Sequence, residues 1–184
     1  MALRIKSHWK DDERARSLPE IASALAYIAW RIALDKAINL HCERFVYRDD
    51  AQRLAVIQEY LVFLVQIADR LAHADLDESD RRTLIVEFAK KLFGHVQDNS
   101  QDLLGPGDYG GPFIALLDTR SGEYAEFQFA GDGPSYAFLR HLGHEIQCVM
   151  GESEANRWVI DQVMDKDGWD AYKHFARAYH NLFE

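Results

Sequence analysis

Two stretches leave this chain little choice of architecture. Ile21–Leu34 places apolar side chains on nearly every side of a helix (Ala22, Leu25, Ile28, Trp30, Ile32), and Tyr60–Val65 is an unbroken apolar run. A helix that is apolar all round has no face to offer water and belongs in the interior. Neither run reaches the ~20 apolar residues of a membrane span. The reading is therefore a single all-α domain of six or seven helices, with central apolar helices at about 18–43 and 51–74.

End signals support these bounds. Ser17-Leu18-Pro19-Glu20 has the pattern of a capping box with proline in the first turn. Asp49 or Asp50 caps the second helix. Asp77 caps a third, whose Leu84, Ile85, Phe88, Leu92, Phe93 and Val96 recur at helical spacing. Phe113–Gln128 fits a helix, or a hairpin turning at Thr119–Gly122. The helix is preferred, because a lone hairpin among helices leaves long edges to cover. Pro134 is expected to open a helix that Gly151 ends, and Ser153 and Asp167 to cap two short final helices.

Charge and cysteine usage narrow the function. The formal net charge of -9 argues against nucleic-acid binding. The basic residues Arg4, Lys6, Lys10, Arg14 and Arg16 are interrupted by Asp11, Asp12 and Glu13. They read as a solvated leader, residues 1–16, ahead of a domain at 17–184. The leader lacks the apolar core of a signal peptide. Cys42 and Cys148 are far apart and form no C-x-x-C, so a reducing cytoplasm is the expectation.

Several familiar chemistries fail. Gly105, Gly107 and Gly110 spell G-x-G-x-x-G, but a helix precedes them where a dinucleotide site needs a strand. Pro106 and Pro112 each remove an amide, and between Leu92 and Thr119 there is no Lys or Arg. The stretch reads instead as a helix stop at Gly105, a turn in which Asp108 bonds its own backbone, and a helix start at Gly111-Pro112. There is no G-x-x-x-x-G-K-[ST], no G-x-S-x-G and no Glu-x-x-His pair. The chain is read as a non-enzyme, with no cofactor expected.

Three candidate sites remain. The preferred reading is an adaptor or assembly factor whose acidic, aromatic-rich surface around 98–136 meets a basic protein partner, through Asp108, Tyr109, Asp118, Asp132 and Tyr136. From Leu92 to Leu139, Arg120 is the only cation among seven acids, Asp98, Asp102, Asp108, Asp118, Glu123, Glu126 and Asp132. The competing reading makes the aromatics core and the acids a solvated face. The second candidate is a zinc-type metal site. His141, His144, Glu145 and Cys148 share one helical face at i, i+3, i+4 and i+7. One straight helix cannot close a tetrahedron, so a further ligand has to come from His41, Cys42, Glu43, Asp69 or His73. The bland alternative makes Cys148 a buried apolar residue beside Leu142 and Ile146. The third is a small-ligand pocket beneath Gly105–Pro112. Trp169, Tyr172, Ala176, Tyr179 and Phe183 add a stripe that docks on its own domain or across a homodimer axis, the former preferred.

Overall fold

A computed structural model describes residues 16–131 and 133–184. Six helices of fifteen or more residues form one bundle: α1 Leu18–Cys42, α2 Asp50–Asp75, α3 Glu78–Leu104, α4 Gly110–Ala125, α5 Tyr136–Met150 and α7 Gly168–Phe183. Between α5 and α7 lie a 3-10 turn, Glu154–Asn156, a four-residue helix α6, Val159–Gln162, and a π turn, Val163–Asp167. No helix among the described residues is long and apolar enough to cross a membrane.

The apolar run of α2 explains its place. Tyr60, Leu61, Val62, Phe63, Leu64 and Val65 are all buried, and α1, α3, α4, α5 and α7 pack around this helix. The other central helix, α1, is less enclosed. Ala22, Ala26, Ala29 and Ala33 are fully buried, and such small side chains let a neighbouring helix approach closely; Tyr27 and Ile38 face solvent.

The helix ends follow side-chain chemistry. Glu20 accepts from the Ser17 amide at 2.9 Å and from the Ser17 hydroxyl at 2.8 Å. Asp49 accepts from the Gln52 amide, and Asp77 from the Asp80 amide. Gly105 ends α3 with φ of 91°, a left-handed backbone that glycine adopts without strain. The helical reading of Phe113–Gln128 holds through Gly122 as far as Ala125, where α4 ends three residues short of the expected bound. The leader lies outside the described residues apart from Arg16, which donates to the Asn181 and Leu182 carbonyls at the end of α7.

Two boundaries differ from expectation. Pro134 does not open α5: Phe129–Ala130 and Gly133–Pro134 pair as a minimal antiparallel ribbon, and Ser135 caps α5 by accepting from the Phe138 amide. Gly133, at φ of 107°, turns the chain out of helical geometry just before the proline. Asp167 does not cap α7 either. It is fully buried in the π turn, where it accepts from Asn39 Nδ2 at 2.8 Å and Gln162 Nε2 at 3.3 Å. Lys36, itself only 6% exposed, lies close enough to act on its charge. The turn carries Met164 and Asp167 inward, so helical winding runs on into α7 without a break for a cap to fill.

A charged cluster between α2, α4 and α5

Glu59 follows from the burial of α2, since a helix enclosed on all sides carries its polar residues inward too. Its side chain is 3% exposed, and both its oxygens are held by Arg120 of α4. Arg120 Nε donates to Oε2 at 3.1 Å, and Nη2 to Oε1 at 2.9 Å. This bidentate fork is the strong form of a carboxylate–guanidinium pair. The same guanidinium donates through Nη1 to Glu123 Oε2 at 2.9 Å, and Nη2 also pairs with Glu145 of α5. Glu123 is one turn of α4 beyond Arg120, so the i, i+3 spacing brings them together.

His141 closes the cluster. Its Nε2 lies 3.0 Å from Glu123 Oε2 and its Nδ1 3.8 Å from Glu145 Oε1. An ionised carboxylate only accepts, so the contact with Glu123 is one in which an Nε2–H donates. The ring packs edge-on against Tyr124, with centroids 4.8 Å apart, and tilted against Phe127 at 5.3 Å. Tyr124 is fully buried, and its hydroxyl finds no hydrogen-bond partner among the described residues.

The electrostatics are lopsided: three carboxylates, Glu59, Glu123 and Glu145, surround one guanidinium. Burial pushes the Glu59 carboxyl above its usual range despite Arg120, and Glu145 adds to the shift. Burial alone would lower the Arg120 guanidinium, but the hydrogen bonds and charge of Glu59, then Glu123 and Glu145, hold it above its ordinary value. Burial also raises the Tyr124 phenol, and Glu59 adds the largest charge effect upon it.

One atom each from Glu123, His141 and Glu145 lies within 4.8 Å of the others. Ligands about 2.1 Å from one ion stand about 3 to 4.2 Å apart, so this shell needs to contract by roughly half an ångström to hold a metal. The cluster thus joins His141 and Glu145 of the proposed α5 face to Glu123. It does not include His144 and Cys148. These two lie 3.6 Å apart on the exposed side of α5, because α4 covers only one edge of that face. The expectation that Cys148 is buried is corrected: its side chain is exposed. Its thiol is raised by desolvation and by Glu145, which disfavours the nucleophilic thiolate.

The acidic, aromatic tract divides as well. Phe113 and Tyr124 are core residues, and Tyr109 packs at the core edge with its amide donating to Gln97. Tyr136 is 72% exposed, and Asp108 and Asp118 face solvent; Asp132 lies outside the described residues. The Gly105–Pro112 turn is tied to α3. Gln97 takes the Tyr109 and Gly110 amides and donates to the Gly107 carbonyl, and Asp108 accepts from the Gly111 amide. Phe93 occupies the space against Gly110, where a Cβ would run into its ring. On α7, Tyr179 is fully buried and Ala176 nearly so, and Trp169, Tyr172 and Phe183 pack against the core from its edge.

Glu59 and Arg120 escape a motif search because they meet across 61 positions. The one sequence signal was the isolation of Arg120 among acids, since a lone cation there has carboxylates within reach. No known protein family, curated protein or solved structure matches the chain.

Proposed function

We propose that the chain is a divalent-metal-binding helical protein whose ligands are Glu123 of α4 with His141 and Glu145 of α5. The convergence of these three side chains beside a single guanidinium carries the reading. Three carboxylates facing one fixed cation leave surplus negative charge in a partly desolvated place, which a divalent ion compensates. Two carboxylates and one imidazole suit first-row ions that accept oxygen and nitrogen donors. Arg120 then keeps its two-pronged bond to Glu59 and yields Glu123 and Glu145 to the ion.

Metal analysis of protein purified without a histidine tag, followed by titration with zinc and manganese, tests this. About one equivalent is expected, with thermal stabilisation near 2.7 kcal/mol at a hundredfold excess over Kd. Glu123→Gln and His141→Ala should each weaken binding, whereas His144→Ala with Cys148→Ser should not. Less than about 0.1 equivalent with no thermal shift overturns the reading. So does binding that the first two variants leave intact.

A further inference from the structure

α3 and α4 form an antiparallel pair joined by the short turn 105–109, and an open groove of about 370 Å³ lies between them. Val86, Ala89 and Phe93 supply its floor from α3 and Ile114 from α4. The α3 residues fall at i, i+3 and i+7, one straight stripe along the helix. Val86 is 44% exposed and Phe93 39%, whereas Leu84, Phe88, Leu92, Phe113 and Leu117 on these two helices are buried and Leu103 and Leu104 are exposed only at the far end of α3. Phe93 rests on Gly110, which holds its ring at the groove.

The two walls differ in sign. Lys90 lines the α3 wall, and Arg82 is exposed one turn from Val86 on the same side. Lys90 shares its charge with Glu87 at 2.7 Å but stays 64% exposed. Asp118 is exposed on α4 one turn beyond Ile114, and Asp108 stands exposed before the helix start. A uniformly basic segment laid here meets repulsion from α3, and an acidic one from α4. A second copy does not. Rotation about a two-fold axis that runs along the groove sets the basic wall of each copy on the acidic wall of the other. An axis across the groove would set like on like.

We infer that this groove docks a second copy of this chain, with the dyad along the groove and α3 of each protomer lying over α4 of the other. The apolar stripe is then covered, Phe93 meets its own counterpart, and Lys90 faces the second copy's Asp118. The arrangement is independent of the metal site, which lies on the α2 and α5 side of α4.

Sedimentation equilibrium of the untagged full chain over a wide concentration range tests it. A reversible dimer is expected. Phe93→Asp should abolish it without lowering helical content, because the side chain is already partly in solvent. Lys90→Asp or Asp118→Lys alone places like charges in opposition and should weaken the dimer about tenfold each. Carrying both changes on one chain restores opposite signs and should recover most of the affinity, an outcome that loss of fold cannot imitate. A chain that is monomeric throughout overturns the proposal, even if it binds a basic amphipathic peptide. So does a dimer indifferent to all of these changes, which would have to form through another face such as α7.

Discussion

Glu59 and Asp167 are carboxylates 2% and 0% exposed, and the molecule accommodates them in contrasting ways. Asp167 is held by the neutral amides of Asn39 and Gln162, with Lys36 near enough to act on its charge. Glu59 is held by a guanidinium that it shares with two further carboxylates, one of them 38% exposed. Burial raises both carboxyls above their usual range. The first arrangement ends in the core and ties α1 to the π turn. The second continues outward through Glu123 and His141 toward solvent. Asp167 fastens α1 to the π turn through neutral donors, whereas the Glu59 arrangement carries its surplus of carboxylates out to the surface.

Breaking each arrangement at its buried partner separates them most. Arg120→Ala leaves Glu59 buried without a counter-charge and should cost about 3–5 kcal/mol in denaturant unfolding. Arg120→Met combined with Glu59→Leu should cost much less, because neither charge then remains buried alone. Equal costs would show that packing rather than charge dominates there.

Asp167→Ala should cost less, about 1–3 kcal/mol, since it strands neutral donors. Its pH dependence is the sharper test. The folded value lies above the ordinary 3.8, so the stability that Asp167 contributes is complete below 3.8 and is lost as pH rises through the folded value. The cost of the substitution should therefore shrink from acid toward neutral pH. A cost that grows with pH would mean that the charged form is the one the site favours.

Glu123→Gln should have the smallest effect on unfolding, below about 1 kcal/mol, because a partly exposed ion pair is screened by water. It is also one of the two changes expected to weaken metal binding. Stability and binding would thus part company at one position, and a large unfolding cost there would mark the cluster as structural.

The bundle was legible for definite reasons. Runs such as Tyr60–Val65 are too apolar to lie outside, and Asp49, Asp77 and Ser153 cap because their side chains reach free amides close by in sequence. Asp167 misled because the same residue type before a glycine serves in a turn as readily as at a cap. The α5 face was half legible. Its i, i+4 spacing identified His141 and Glu145, but the partner that completes them depends on how α4 packs, and Glu123 stood unmarked among other acids. Glu59 gave no local signal at all. Its role follows from meeting Arg120 across the interior, which nothing near either residue announces.

The π turn at Val163–Asp167 also sets the rotational phase of everything after it. One residue of an α-helix corresponds to about 100° of rotation. Deleting Met164 would permit ordinary α-winding from α6 into α7 with little change of phase, because the wider turn absorbs one residue, whereas winding the same residues as α-helix would swing α7 about its own axis by roughly that angle. Tyr179, now fully buried, would then leave the core, and His174 and Ala178 would turn toward it. The wider turn acts as a clocking device: a local irregularity that decides which face of the last helix the rest of the protein sees.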